Sequence, residues 1–217
     1  MKPQPVIVLG AGGNCRDIVD SMNDINRVAG ETVFEPLGYL DDDPAKEGMV
    51  LGGVRVLGPL SAIAEYPHAS VVDGLNGTSL TNRKHQILGS LGLPRARYVT
   101  IVHPTASVSQ LATVGAGTVI LQNVTINSDA RIGDHVMVLP NSVVSHDAVV
   151  DDYCYLTPGV VLAGYVHLEQ GVYIGARSAV MHRVTIGTGA VVGMGSVVLE
   201  DVAAGTTVVG VPAHPIG

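Results

Sequence analysis

The chain has no tryptophan, one phenylalanine and 4% aromatic residues in all, against a hydrophobic content of 47%. Packing therefore falls to Val, Ile, Leu, Ala and Gly, as in an interior too narrow for rings. Only two cysteines occur in 217 residues, Cys15 and Cys154. A disulfide framework is not expected, and a reducing, cytoplasmic setting is. The twelve Lys and Arg form no basic run and the net charge is −7, which disfavours nucleic-acid binding. No stretch of about 18 uninterrupted apolar residues exists, so no membrane span is expected. The opening Met1-Lys2-Pro3-Gln4-Pro5 lacks the apolar core of a secretory signal.

What the chain does have is a period of six. Val108, Val114, Ile120, Ile126, Ile132, Val138, Val144 and Val150 begin an aliphatic series. Leu156, Leu162, Leu168, Ile174, Val180, Ile186, Val192 and Val198 complete it, sixteen positions without an insertion. Neither a helix of period 3.6 nor a strand of period 2 writes this pattern. A hexapeptide period predicts a parallel β-helix, three hexapeptides to a coil of 18 residues. Two residues before each aliphatic position stands a small or β-branched side chain, from Ala106 and Ala112 through Cys154 to Ser196. The two columns would fill the coil. Turn residues recur between them: Gly115, Gly117, Asn127, Gly133, Asp134, Gly175, Gly187 and Gly189.

Residues 1–100 lack the repeat and read as a separate Rossmann-like α/β domain, with the β-helix over residues 101–217. Val6-Ile7-Val8-Leu9, then Gly10-Ala11-Gly12-Gly13, then an amphipathic stretch read as strand, glycine turn and helix. Leu37-Gly38-Tyr39-Leu40 ends in Asp41-Asp42-Asp43-Pro44, and Val71-Val72 ends in Asp73-Gly74-Leu75-Asn76-Gly77. Thr81 to Leu91 reads as a helix and Ala96 to Val102 as a strand. Such alternation predicts a parallel sheet with helices on its faces. Backbone amides of the glycine turn, at the start of a helix, can hold a phosphate. Asp41 and Asp42, after the second strand, can accept bonds from a ribose or base. A tight turn without ligand and a solvated acidic loop are the alternatives.

Of eight histidines, His146 has the strongest setting. It follows Val144 by two residues, hence at an outer corner, with Asp147 beside it. A carboxylate that fixes the tautomer can make a histidine a general base; a solvated surface His-Asp pair is the alternative. Residues 18 apart stack about 4.8 Å from one another, so His146, Gly164 and His182 form one column. Gly164 would leave an open notch whose N–H could donate to an oxyanion.

These segments resemble the bacterial sugar O- and N-acetyltransferases of the sialic-acid and bacillosamine type. The resemblance rests on Val8 to Gly13, Gly38 to Pro44, Gly53 to Gly58, Ser145-His146-Asp147 and Val209-Gly210-Val211-Pro212-Ala213. It spans nearly the whole chain. It implies a left-handed β-helix, a homotrimer with sites between neighbouring coils, acetyl-CoA as co-substrate and a nucleotide-linked (UDP or GDP) amino sugar as acceptor. No metal is implied; lipopolysaccharide or other surface-glycan synthesis is. His146 is implied as base, Asp147 as its acidic neighbour, where the family usually has Glu, and Gly164 as the amide facing the thioester oxygen. The CoA arm is implied to pass Tyr155, Gly164, Gly175, Ala176, His182, Gly193 and Gly210. The nucleotide sugar falls to Gly10, Gly12, Gly13, Asn14, Asp41, Asp42, Gly74 and Asn76. Asn14 stands where many members have His. N-acetyl transfer is the leading expectation and O-acetyl transfer the first alternative. A zinc enzyme of the carbonic-anhydrase kind is a second, although a third histidine ligand is not apparent. A non-catalytic scaffold is a third.

Overall fold

A computed structural model of the chain describes residues 2–77 and 83–216. The first strand, β1 (Gln4–Leu9), is the apolar run, with Val6 to Leu9 fully buried. It leads through the glycine turn into α1 (Gly13–Ala29), which buries Cys15, Ile18, Val19 and Met22. Gly30 closes α1 in the left-handed conformation, φ 69°, as a C-terminal cap requires. Then follow β2 (Phe34–Leu40), a hairpin of β3 (Val50–Leu51) and β4 (Val54–Gly58), and β5 (Ser70–Asp73). The sheet order is β3-β4-β2-β1-β5, parallel except for the hairpin. The strand order reverses between β1 and β5, and ligand crevices of open α/β sheets lie beyond the carboxyl ends at such a point. Gly74 lets these ends meet. A Cβ there would stand 2.5 Å from Cys15 Sγ and 2.9 Å from the Leu9 carbonyl.

The helix expected over Thr81 to Leu91 is α2 (Lys84–Ser90); Thr81 and Asn82 lie outside the described residues. The strand expected from Ala96 to Val102 is shorter. Arg95–Arg97 is a 3-10 turn behind Pro94, and only Ile101–Val102 is extended. The Arg97 guanidinium donates to the carbonyls of Tyr66 and Ala69 and pins that turn.

From there the chain winds a left-handed parallel β-helix of two-residue strands. Partners in neighbouring coils are 18 apart, as in Ile126↔Val144 and Val144↔Leu162. From Ile120 onward the aliphatic column is buried throughout, as is the small-residue column from Thr118. Their first members, at 106–114, are half-buried at the open end. The ladder stops where the sequence pattern stops. Val191 pairs with Thr207, 16 residues on, and an antiparallel strand at His214–Pro215 covers the end.

A third column emerges at the corners. Three residues after an aliphatic position, Asn123, Asp129, His135, Asn141, Asp147, Tyr153, Tyr165, Arg177 and Arg183 have φ of 56–65°. Gly117, Gly159, Gly171, Gly189 and Gly195 share the column and the conformation. The other expected turn glycines do a different job. At Gly115, Gly133, Gly175 and Gly187 a Cβ would collide with the next coil.

The coil has three faces. The first, with Val119, Met137, Tyr155 and Tyr173, is covered by the amino-terminal α/β unit. Val119, Leu121, Met137, Leu139 and Tyr155 pack there against Val8, Cys15, Ile18 and Met22. The second carries Thr125, Val143, Val161, Ala179 and Val197, and the third Thr113, Arg131, Val149, His167 and Thr185. At the rim of the covered face, Lys84 Nζ meets Asp73 Oδ2 at 2.6 Å, both side chains buried. The same ammonium donates to Asn76 Oδ1 at 3.1 Å and to the His135 carbonyl at 2.9 Å.

Candidate active site

His146 stands at the corner between the second and third faces. Its Nδ1 lies 2.8 Å from Asp147 Oδ2. An ionised carboxylate only accepts, so Nδ1 is the donor of this bond, and in the neutral ring Nε2 is the nitrogen with the lone pair. Asp147 itself has φ 59°, a conformation that Asp tolerates better than longer side chains. Its backbone turn explains how a short carboxylate reaches the adjacent ring. The notch at Gly164 is not open: the imidazole fills it. A Cβ on Gly164 would sit 2.7 Å from His146 Cε1 and 2.8 Å from Nε2. The Gly164 N–H has no acceptor among the described residues. Tyr165 meets the His146 ring edge-on, centroids 5.3 Å apart, and Arg183 lies over the face of Tyr165 at 4.6 Å. His182 is exposed on the same corner. Neither Tyr165 nor Arg183 was singled out by the sequence. Their signal was their place in a column otherwise rich in Asn, Asp and Gly.

At the crevice end, Gly12 precedes α1 without any side-chain cap, which leaves the first-turn amides facing outward. A hollow of 510 Å³ opens there, lined by Gly13, Asn14, Arg16, Asp17, Asp20 and Gly52. The two aspartates expected to face a ligand are committed elsewhere. Asp41 accepts from the amides of Ala11 and Asp43 and from Lys46 Nζ, at 2.8–2.9 Å. Burial raises its pKa, but Lys46 and the two amides outweigh that and hold it below the usual carboxylate range. Asp42 Oδ1 accepts from the Leu60 amide at 2.8 Å. Both carboxylates build the loop because each caps backbone donors within reach. Asn14 Nδ2 donates to Tyr155 Oη at 2.6 Å. Tyr155 is therefore buried between the α/β unit and the coil, not open along a CoA path. Asn76 is tied to Lys84 and to Met137 Sδ.

Residues 129–164 and 165–200 match the family of bacterial transferase hexapeptides (six repeats). PerB from Caulobacter crescentus, solved with CoA and GDP-perosamine, is 32% identical, with 98% of this chain and 97% of that chain covered and a TM-score of 0.82. A histidine-to-alanine mutant of GDP-perosamine N-acetyltransferase from Caulobacter crescentus, also with CoA and GDP-perosamine, is 30% identical over 98% and 97%, TM-score 0.83. This chain belongs to the hexapeptide-repeat sugar acetyltransferases. The acetyltransferase domain of PglB from Neisseria gonorrhoeae shares the fold, with 23% identity over 98% and 100% and a TM-score of 0.86. No curated protein sequence matches the chain.

As a member of this family, the chain offers no cysteine nucleophile. Burial pushes both thiols, Cys15 and Cys154, up to about 12, so neither supplies a thiolate near neutrality. Among the described residues no three His, Cys, Asp or Glu gather as metal ligands, and no helix is long and apolar enough to cross a membrane. The residues expected along the CoA arm divide between two corners. Gly164 and His182 share the His146 corner, whereas Gly175, Ala176 and Gly193 lie on the corner between the first and second faces. Gly210 follows the final coil strand, Thr207–Val209. A Cβ at Gly193 would stand 2.6 Å from Val209 Cγ1, so that glycine also serves packing.

Proposed function

We propose that the chain transfers the acetyl group of acetyl-CoA to the amino group of a nucleotide-linked amino deoxy sugar. The observation that carries this is the His146 corner: Nδ1 held by Asp147, Nε2 free, and an unpaired Gly164 N–H beside it. As the amine nitrogen attacks the thioester carbon, His146 Nε2 takes its proton. The Gly164 N–H donates to the oxyanion of the tetrahedral intermediate. Collapse breaks the C–S bond, and the departing thiolate recovers the proton from Nε2. The CoA and GDP-perosamine complexes of the Caulobacter relatives support both the donor and the acceptor class. The uncapped start of α1, at Gly12, Gly13 and Asn14, is the proposed anchor for the diphosphate. The amino-terminal domain, residues 1–100, is the acceptor-binding half on this reading, and residues 101–217 the catalytic half.

The two halves of the site lie apart within one chain. The α/β unit covers the first face, and His146 occupies the corner opposite that face. A homotrimer resolves this, with the crevice of one copy brought to His146 of the next. The exposed second face supports it: Val161, Met181 and Leu199 are each more than 40% exposed, a patch that suits an interface. The same contact would join the two corners over which the CoA-arm residues divide.

His146→Ala is expected to lower kcat by about 10²- to 10⁴-fold. The assay offers acetyl-CoA with GDP- and UDP-linked amino sugars and follows free thiol. A base-stable product supports the amide, whereas a base-labile one reassigns the reaction to O-acetylation. Unchanged turnover in the variant removes His146 as the base.

A further inference from the structure

The turn position taken by Tyr165 recurs every six residues, and at the other two corners of the coil it is filled by Gly159, Gly171, Gly189 and Gly195, all with positive φ. A glycine there is free of strain, whereas tyrosine at φ 63° is not. Tyr153, the other tyrosine in the column, is used in packing: its ring stacks on His135 at 5.4 Å and 5°. Tyr165 is 46% exposed and belongs to none of the hydrophobic clusters. Its ring contacts are His146, edge-on at 87°, and the Arg183 guanidinium. The His146 side chain is half-exposed and makes one hydrogen bond, to Asp147. Gly164 gives the ring a floor and Tyr165 a wall. Arg183, over the outer face of the tyrosine, opposes its swing into solvent by cation–π attraction.

We infer that Tyr165 and Arg183 are a positioning pair that holds the His146 imidazole in its reactive pose. The inference rests on the acetyl-transfer reading above, and it explains why a strained tyrosine stands where glycine is the cheaper residue. Neither side chain takes part in a bond-making step; both act through His146.

The test compares Tyr165→Gly, Tyr165→Phe and Arg183→Met with His146→Ala. Tyr165→Gly is expected to lower kcat about ten- to hundredfold, the scale of a misplaced catalytic group. KM for both substrates should stay within about twofold, and Tm should hold or rise because the strain is gone. Tyr165→Phe, which keeps the ring, should restore kcat, and Arg183→Met should show a smaller loss in kcat alone. Nitrogen-15 NMR of the substrate-free protein gives a second readout. Wild type should populate the Nδ1–H tautomer of His146, and Tyr165→Gly a mixture of tautomers. Wild-type kcat with an unchanged tautomer in Tyr165→Gly overturns the inference. So does a parallel loss of kcat and Tm, which marks a structural residue. Full activity in His146→Ala instead overturns the acetyl-transfer mechanism, an outcome separate from the tautomer result.

Discussion

At the scale of single residues, the imidazoles of His135 and His146 have opposite settings. His146 is half-exposed and bonded to a carboxylate, whereas His135 is 7% exposed and its Nδ1 has no partner among the described residues. Burial holds the pKa of His135 below its ordinary 6.5, the nearby Asp73 carboxylate opposing and the Lys84 ammonium reinforcing the shift. As pH falls, the unfolded chain therefore binds that proton first. The contribution of neutral His135 to stability is intact above 6.5 and is lost as pH falls through the window beneath it. Asp134, held below its ordinary 3.8 by Arg95, responds only at lower pH. Tm of wild type should decline between about pH 7 and pH 5, and His135→Asn should flatten that decline. Asn suits the substitution because Asn123 and Asn141 adopt the same backbone conformation. An equally steep decline in the variant would assign the effect to another group. The residue scale is also where the sequence was least complete. The 18-residue spacing put His146 over Gly164, but not the ring in the notch. Asp41 and Asp42 were placed after the right strand, but their backbone partners arise from folding of the loop and leave no periodic trace.

At the scale of elements, the period of six was enough to locate every coil strand from Ser107 to Val198, because each inward side chain repeats one environment. The corner conformation was harder to read, since Asn, Asp and Gly are diluted there by His, Tyr and Arg. Short-range pattern failed at Ala96 to Val102, where Pro94 and the Arg97 hydrogen bonds favour a 3-10 turn over a strand. Helix α2 was visible, but its role was not: Lys84 buries its charge against Asp73 and joins the helix to the coil at the His135 carbonyl. Lys84→Met leaves Asp73 buried without a counter-charge. It should cost about 3–5 kcal/mol, the range for breaking one side of a buried pair. Urea unfolding measures this, and a loss below about 1 kcal/mol would mean that water reaches Asp73 in the variant.

At the scale of the whole molecule, the sequence pointed to two candidate halves of a site but could not say on which sides of the coil they fall. The α/β unit takes the first face by apolar contact of Val119, Leu121, Met137 and Leu139, and that choice leaves His146 across the coil from the crevice. The central claim is therefore that one active site draws its base from one copy and its acceptor crevice from another. Complementation tests it most directly. Gly12→Asp fits the backbone, because a Cβ there meets nothing within 4 Å, yet it puts a carboxylate where the diphosphate is proposed to bind. His146→Ala and Gly12→Asp, each nearly inactive alone at low nucleotide sugar, are co-expressed and the mixed oligomer is isolated. In a mixed cyclic trimer one site in three joins an intact base to an intact crevice, which should restore about a third of wild-type turnover. Mixed oligomers with no activity above that of the separate variants would contradict the account, because both halves of the site would then come from one chain.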